Sequence, residues 1–225
     1  MLIVLRIGGS IIASPTNPKL INQYIKLLKK LKKNDYQIIT IVGGGALARE
    51  FIKVGSQLNL SEEAQDWLAI HISRLYALLF ALKLGKNGTR NIPTSISKAV
   101  RALKKGKIVV MGGLKPGMTT DTVAAYIAQK TKAQLLVKAT DQDGIYNKDP
   151  RKYEDAEKLD KITFNDLTWL LEQDRHKAGI HQILDPVAVK ILQKTNIRTI
   201  IVNGYSPRNI QHAIEGKKVG TTITE

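Results

Sequence analysis

Three consecutive glycines, Gly43-Gly44-Gly45, stand between a predicted strand and a predicted helix, and no other feature constrains the fold as strongly. The apolar run 38–42 ends at the first glycine, and a helix-like pattern starts at Ala46. Residues without a Cβ let the backbone come close to a ligand and adopt positive φ. The N–H groups that open the next helix, together with its dipole, then favour an anion. The segment predicts a phosphate-binding loop, and the simpler alternative is a tight turn.

The same transition from strand to glycine to helix occurs at two other places. The run 107–111 leads into Gly112-Gly113, the loop 114–122 and an Ala-rich helical stretch. The chain also starts with the apolar run Leu2–Ile7, followed by Gly8-Gly9-Ser10. Open α/β sheets bind ligands where their strands end. Three such transitions therefore indicate one site at the carboxyl edge of a sheet.

Size and composition indicate a single globular unit, or two lobes that share one sheet. The chain has 225 residues, of which 43% are hydrophobic and 24% are charged, as is usual for globular proteins. No apolar run near 18 residues and no signal peptide are apparent, so we expect no membrane span. The absence of cysteine excludes disulfides and thiolate metal sites and fits a cytoplasmic protein. The four histidines lack metal-ligand spacing, so no protein metal site is predicted.

The chain is strongly basic, with 35 Lys and Arg against 19 Asp and Glu and a formal charge of +16. Such a charge attracts nucleic acids, and it equally attracts phosphorylated small molecules. Much of the excess is lysine on the polar faces of predicted helices, which is typical of a solvated surface. The aromatic residues are not interleaved with basic ones as in RNA-binding sheets. We therefore do not expect a nucleic-acid partner.

Strand-like runs alternate with longer helical patterns along the whole chain. This order predicts an α/β fold, a three-layer α/β/α sandwich with a central, mainly parallel sheet. The predicted strands are 2–7, 37–42, 107–111, 134–139, 199–202 and 221–224. The predicted helices are 19–33, 46–58, 62–84, 119–131, 165–172, 187–194 and 207–215. The charged stretch 141–161 is interpreted as a seam between two lobes.

A polar loop follows the fourth predicted long strand. Thr140 and Asp141 place hydrogen-bonding groups at the carboxyl edge of the sheet, and Tyr146 can border a base. Asp143-Gly144 and Asp149-Pro150 mark turns. The segment is either part of a ligand site or an ordinary loop with solubilising charge.

Taken together in chain order, these motifs resemble the amino acid kinase superfamily, and within it the uridylate (UMP) kinases of the archaeal type. The motifs are Gly-Gly-Ser after the first strand, Val-Gly-Gly-Gly with Arg49, Gly-Gly-x-x-Pro-Gly-x-Thr-Thr-Asp and Ala-Thr-x-x-Asp-Gly-x-Tyr-x-x-Asp-Pro. Ala178-Gly179 and the segments 184–190 and 220–223 are similar to the ending of that family. The resemblance covers essentially the whole chain.

The resemblance implies a single kinase domain, residues 1–225, that transfers the γ-phosphoryl group of ATP to UMP in pyrimidine nucleotide synthesis. The N-terminal lobe, about 1–133, would bind UMP, and the C-terminal lobe, about 134–225, would bind ATP. Mg²⁺ would arrive with ATP. The family also suggests a cytoplasmic homo-oligomer, namely a hexamer.

The family motifs assign roles residue by residue. ATP would contact Gly9, Ser10, Gly45, Arg49, Thr140, Tyr146 and Asp149. UMP would contact Gly44, Asp66 and the loop Leu114, Lys115, Pro116, Gly117, Met118, Thr119 and Thr120. The groups at the transfer point would be Arg49, Asp121, Arg6 and Lys138. Asp185 also occupies a family position, but it receives no role. Without the resemblance, the planar cation of Arg49 still favours a phosphate over a surface salt bridge, whereas Asp66 is more simply a solvated acid on a helix face.

Position 6 departs from the family pattern, because many relatives carry Lys where this chain has Arg6. Strand alternation places Arg6 on the same face as Leu2 and Val4. Arg6 can still reach phosphates, but Arg and Lys are not equivalent there. Lys138, near the end of another strand, is therefore a candidate for the missing point charge. The alternative is a buried lysine that is paired with an acid.

Two other functions stay open at this stage. One is a kinase for another small acceptor, such as an amino acid, carbamate or isopentenyl phosphate, although the Pro-Gly-x-Thr-Thr-Asp loop argues against it. The other is a basic nucleotide-binding protein that has lost catalysis. It would bind nucleotides without turnover and bind RNA in a salt-sensitive way.

Overall fold

The computed structural model describes residues 1–173 and 183–225. The strands are β1 Leu2–Ile7, β2 Gln37–Val42, β3 Val109–Met111, β4 Leu135–Thr140, β5 Ile145–Tyr146, β6 Lys158–Leu159, β7 Lys161–Thr163, β8 Thr199–Asn203 and β9 Thr221–Thr224. The helices are α1 Gly9–Ile12, α2 Pro18–Lys33, α3 Gly45–Gln57, α4 Glu62–Leu84, α5 Ile96–Lys104, α6 Thr120–Thr131, α7 Phe164–Gln173, α8 Pro186–Thr195 and α9 Pro207–Ile214. Ala178-Gly179 lies outside the described residues.

A seven-stranded sheet runs through the molecule in the order β3-β2-β1-β4-β8-β9-β7. Every neighbouring pair is parallel except β8 and β9, which run antiparallel. A separate antiparallel pair, β5 and β6, lies in the loop region after β4. The predicted mainly parallel sheet is confirmed.

Helices cover both faces of the sheet, which confirms the three-layer sandwich. One core forms between the sheet and helices α5, α6, α7 and α8. The other forms between the sheet and helices α2, α4 and α9. Each core contains residues from both halves of the chain, so no separate core belongs to 1–133 or to 134–225. The division into two lobes stays a prediction.

The alternation of side chains along β1 determines the face of the sheet on which Arg6 lies. Val4 belongs to the core on the α6 face, whereas Leu5 and Ile7 belong to the core on the opposite face. Arg6 shares the face of Val4, as strand periodicity predicts. Helix α6, which carries Asp121, packs against β1 on that face. The strand therefore delivers Arg6 to the start of α6.

The sequence interpretation missed several elements. Helix α5 is not among the predicted helices, although an amphipathic pattern follows Ser95. Ser95 caps this helix by accepting a hydrogen bond from the backbone N–H of Lys98. Helix α1 and strands β5, β6 and β7 have only two to four residues each. Elements this short have too few residues to show a period, and tertiary pairing decides them.

Helix α4 is long and apolar enough to cross a membrane by length and composition alone, which the sequence interpretation did not expect. In the structure this helix packs against α3, β2 and β3. Tyr76, Phe80 and Leu84 on one of its faces are buried in the core. A core helix meets the same criterion of length and composition as a membrane span, and one face of α4 packs as part of the core.

Candidate active site

The glycine loops after β1 and β2 lie against each other at the carboxyl edge of the sheet. A Cβ on Gly9 would lie 2.2 Å from the backbone nitrogen of Gly45. A Cβ on Gly45 would lie 2.5 Å from the carbonyl oxygens of Ala13 and Gly9. Gly45 also has a φ of +63°, which L side chains adopt at a cost. A side chain at Gly9 or Gly45 would therefore push the two loops apart.

A cavity of about 570 Å³ opens beside these loops, and we call it the glycine cavity. The loops after β1 and β2, the start of α3 and the end of β4 form its wall. Its lining residues are Arg6, Gly9, Ser10, Gly43, Gly44, Gly45, Arg49, Thr120, Lys138, Thr140, Asp141 and Arg151. Arginine and lysine supply four cations to this wall, which makes it a site for a polyanion.

A second cavity of about 390 Å³ lies between α4 and the loop that precedes α6, and we call it the α4 cleft. Its lining residues are Gly44, Ala48, Asp66, Ala69, Ile70, Ser73, Lys115, Gly117, Met118, Thr119 and Thr120. Gly44 and Thr120 line both cavities. Two ligands bound in these cavities would therefore meet at a shared wall.

A buried ionic cluster stands beside that wall. Arg6 and Lys138 are partners in the parallel register of β1 and β4, so two like charges lie side by side. Asp121 lies between them. Its Oδ1 is 2.7 Å from Arg6 Nε, and its Oδ2 accepts a hydrogen bond of 2.6 Å from Lys138 Nζ. Arg6 also donates through Nη2 to the hydroxyl of Thr120 at 2.9 Å, which links the cluster to both cavities.

The cluster shifts the protonation of its members. Burial by itself would raise the pKa of Asp121, but the charges of Arg6 and Lys138 outweigh it and hold that pKa below its ordinary value. Burial lowers the pKa of Lys138, and the neighbouring Arg6 lowers it further, whereas Asp121 opposes both effects. Asp121 is therefore an anion at neutral pH and serves to hold two cations, rather than to accept a proton.

Asp185, at the start of α8, connects that helix to the wall of the α4 cleft. Its carboxylate accepts hydrogen bonds from the hydroxyls of Thr119 at 2.6 Å and Thr122 at 2.8 Å. It also caps α8 by accepting from the backbone N–H of Ala188 at 2.9 Å. Thr119 in turn caps α6. Asp185 therefore fixes the loop end that precedes Asp121.

Helix α4 holds the loop between β3 and α6 at both ends. Arg74 donates from Nε to the carbonyl of Gly113 at 3.0 Å and from Nη2 to the carbonyl of Leu114 at 2.8 Å. Asp66, two turns earlier, accepts a hydrogen bond of 2.7 Å from the backbone N–H of Gly117. Ser73 accepts another from the backbone N–H of Gly113.

Sequence reasoning missed Ser73, Arg74 and Arg151. A helical Arg one residue after a Ser has no special spacing, and only the packing of α4 on the loop reveals its role. Arg151 stands in a charged loop that composition could not resolve. It reaches the glycine cavity because the turn after Asp149 directs the chain there.

Most of the predicted site residues line the two cavities, Asp121 lies beside them in the buried ionic cluster, and four others lie apart. Leu114 packs against the hydrophobic core, and Pro116 is half-buried beside it. Tyr146 pairs with Lys158 in the β5–β6 ladder. Asp149 accepts a hydrogen bond from the backbone N–H of Arg151. None of these four is among the lining residues of either cavity, so their assignment to ligands stays a prediction.

Arg49 has the geometry expected of a ligand-binding cation. It lies in the first turns of α3, is exposed and lines the glycine cavity. Within residues 1–173 and 183–225, its guanidinium makes no hydrogen bond or ion pair. The alternative of a surface salt bridge is therefore not what the structure shows. A planar cation without a partner, next to a helix N-terminus, is suited to phosphate.

Comparison with known proteins agrees with this geometry. Residues 1–203 match the family model described as the amino acid kinase family. A uridylate kinase of Methanococcoides burtonii is 40% identical, over 98% of this chain and 94% of that protein. One from Methanocaldococcus jannaschii is 39% identical, over 99% of both. The crystal structure of the uridylate kinase from Archaeoglobus fulgidus is 33% identical and covers both chains fully, with a TM-score of 0.90. The chain therefore belongs to the amino acid kinase family and groups with its uridylate kinases.

Proposed function

We propose that this protein is a UMP kinase, which transfers the γ-phosphoryl group of ATP to UMP and releases UDP and ADP. The observation that carries the proposal is the pair of cavities that share Gly44 and Thr120, with the Arg6–Asp121–Lys138 cluster beside the shared wall. The uridylate kinases that resemble the whole chain support the choice of substrate.

In this proposal ATP occupies the glycine cavity and UMP the α4 cleft. The backbone N–H groups of the glycine loops and the guanidinium of Arg49 bind the phosphates. Asp66 holds Gly117 through Oδ2, and its Oδ1 makes no hydrogen bond with the residues that the structure describes, so it can accept one from a ribose hydroxyl. The loop from Lys115 to Thr120 borders the acceptor.

The reaction needs positioning and charge stabilisation more than proton transfer. A phosphate oxygen of UMP attacks the γ-phosphorus, and the bond between that phosphorus and the bridging oxygen of ADP breaks. The attacking oxygen is already anionic, so no general base is required. Arg6 and Lys138 face the developing charge, and Asp121 keeps both in place before the reaction starts.

The site suits a divalent metal that arrives bound to the phosphates of ATP. Among the residues that the structure describes, no group of three His, Asp or Glu side chains could hold a metal ion alone. Mg²⁺ binds few protein carboxylates when phosphate oxygens and water supply the remaining ligands. Asp141 lines the glycine cavity and is the carboxylate that would approach such an ion. The metal neutralises phosphate charge when bound.

An assay of ADP release with MgATP and a panel of acceptors tests the function. The panel contains UMP, CMP, dUMP, AMP, isopentenyl phosphate, glutamate and carbamate. We expect fast turnover with UMP. Turnover with a different acceptor would make the protein another kinase of the family. ATP binding without turnover on any acceptor would favour a nucleotide-binding protein.

Substitution of Arg74 tests whether UMP binding requires that α4 hold the loop between β3 and α6 in place. Arg74→Ala removes two charge-assisted hydrogen bonds to loop carbonyls, so we expect KM for UMP to rise about tenfold. KM for ATP should stay within about twofold, a difference of a few tenths of a kcal/mol. Arg74→Lys should recover only part of the loss, because lysine cannot bond two carbonyls as a fork. Steady-state kinetics with each substrate varied in turn would measure this, and an equal rise of both KM values would contradict it.

We further propose that the protein is a cytoplasmic homo-oligomer, built through the outer faces of α3 and α4. Four leucines at helical spacing on α4 are exposed: Leu75 (57%), Leu78 (37%), Leu79 (44%) and Leu82 (70%). Phe51 and Val54 on α3 and Leu58 directly after it are also exposed, at 40%, 42% and 66%, and α3 packs beside α4. An apolar surface of this kind is typical of a protein interface. Two-fold pairing through it gives a dimer, and three dimers give the predicted hexamer.

Charged substitutions on this surface should reduce the mass in solution. Leu79→Asp combined with Leu82→Asp places two carboxylates in the proposed interface, so we expect the sedimentation mass to fall to that of a smaller species. Val187→Asp is the matched control, because Val187 is equally apolar, is 50% exposed and lies on α8. An unchanged mass in the double variant would exclude this surface as the interface.

A further inference from the structure

The four cations of the glycine cavity differ in how firmly they are held. Arg6 and Lys138 are both bound to Asp121 and are largely buried. Arg49 makes no hydrogen bond or ion pair within the described residues. In the part of the chain that the structure describes, Arg151 has one charged contact, from its Nη2 to Oδ2 of Asp141 at 3.5 Å, and its side chain is 58% exposed. The cations that can turn towards an arriving ligand at low cost are therefore Arg49 and Arg151.

The backbone of Arg151 is fixed even though its side chain is loosely held. Its N–H donates to Oδ1 of Asp149 at 3.0 Å. The carbonyl of Asp149 accepts from the backbone N–H groups of Lys152 and Tyr153, both at 3.0 Å. This turn holds the Cα of Arg151 at the rim of the glycine cavity, and the long side chain covers the remaining distance.

We propose that Arg151 is a catalytic residue that binds the β- and γ-phosphates of ATP and exchanges Asp141 for them when the nucleotide binds. An exposed ion pair is worth little in water, so breaking it costs little. A guanidinium fork binds phosphate oxygens in pairs, and the polyphosphate offers more negative charge than one carboxylate. Arg151 would thereby add a cation from the C-terminal half of the chain to Arg49 from the N-terminal half. The inference rests on the proposed placement of ATP in this cavity.

Direct binding of nucleotides to the full chain tests this inference without depending on UMP turnover. Titration calorimetry would compare ATP with AMP, which lacks the β- and γ-phosphates. For Arg151→Ala we expect Kd for ATP to rise at least tenfold and Kd for AMP to change less than twofold. Arg151→Lys should lie between the wild type and Arg151→Ala, since it keeps the charge but loses the fork. Lys148→Ala is the matched control. It removes one charge from the same loop, where Lys148 pairs with the exposed Asp155, and it should leave both affinities unchanged.

Two results would overturn the inference. One is an unchanged affinity of Arg151→Ala for ATP. The other is an equal loss of ATP and AMP affinity, which would mean that Arg151 only shapes the loop. Failure of the proposed function gives a different pattern, in which the wild-type chain binds ATP, Arg151→Ala weakens that binding and yet UMP is not phosphorylated.

Discussion

Asp121→Asn is expected to lower kcat by a factor of about 100 or more and to destabilise the fold by about 3 kcal/mol. Asparagine keeps the shape of the side chain but removes the negative charge that contacts both Arg6 and Lys138. Two buried cations then lie side by side on adjacent strands without the carboxylate that they share, and Lys138 keeps only the weaker attraction of Asp185 among the described residues. They repel each other, and their positions beside the shared wall are lost. Steady-state kinetics and urea unfolding would measure the two effects.

The lowered pKa of Asp121 determines how the stability lost in Asp121→Asn depends on pH. A carboxyl whose pKa is lower in the folded chain than in the unfolded chain stabilises the fold above its ordinary value of 3.8. That stabilisation is lost as the pH falls below 3.8 and through the folded pKa. The difference in unfolding free energy between the wild type and Asp121→Asn should therefore be constant near neutral pH and shrink in acid. If this difference in unfolding free energy grew in acid, the ionised carboxylate of Asp121 would not be what stabilises the cluster.

Asp160→Asn is the matched control for this experiment. Asp160 also contacts two lysines, Lys158 at 2.7 Å and Lys218 at 2.6 Å, but this pair of contacts is exposed. Because water screens such contacts, we expect no measurable change in stability or kcat. Equal effects of the two substitutions would mean that burial of the cluster is not the cause.

Lys138→Met is expected to lower kcat more than tenfold, equivalent to about 1.4 kcal/mol of transition-state stabilisation. Lys138 lines the glycine cavity, and in the proposed reaction its charge stabilises the phosphoryl group during transfer. Methionine has a similar length and no charge. Since the lost interaction belongs to the transition state, KM for ATP and UMP should change little.

The stability of Lys138→Met separates catalysis from folding. The substitution leaves Asp121 paired with Arg6 but also removes the hydrogen bond from Lys138 Nζ to the buried carbonyl of Ile183, so we expect a change of about 1 kcal/mol in unfolding free energy. This is below the effect of Asp121→Asn, which leaves two buried cations without the carboxylate that they share. A loss in kcat smaller than tenfold would show that Lys138 is a structural partner of Asp121 only. In that case Arg6 would stabilise the transition state without help from Lys138.

Periodic segments were predictable to within a few residues, because their pattern is local. The apolar alternation of Leu2–Ile7 and the stripe of α2 define both their type and their buried face. The shortest elements, such as α1 and β7, were not predictable, since they depend on the surfaces onto which they pack. The same division holds within the site. Glycine loops and Arg49 stand in recognisable motifs, whereas Arg74 and Arg151 have no local signal.

The sequence by itself determined the order of strands and helices, the three glycine transitions and the family pattern that joins them. It did so because backbone freedom at glycine and the period of apolar residues are properties of neighbouring residues. Tertiary structure alone decided that Arg6 and Lys138 lie side by side and share Asp121, and that Asp185 ties Thr119 to α8. These contacts join residues that are distant in the chain. Only the register of the sheet and the packing of helices bring them within bonding distance.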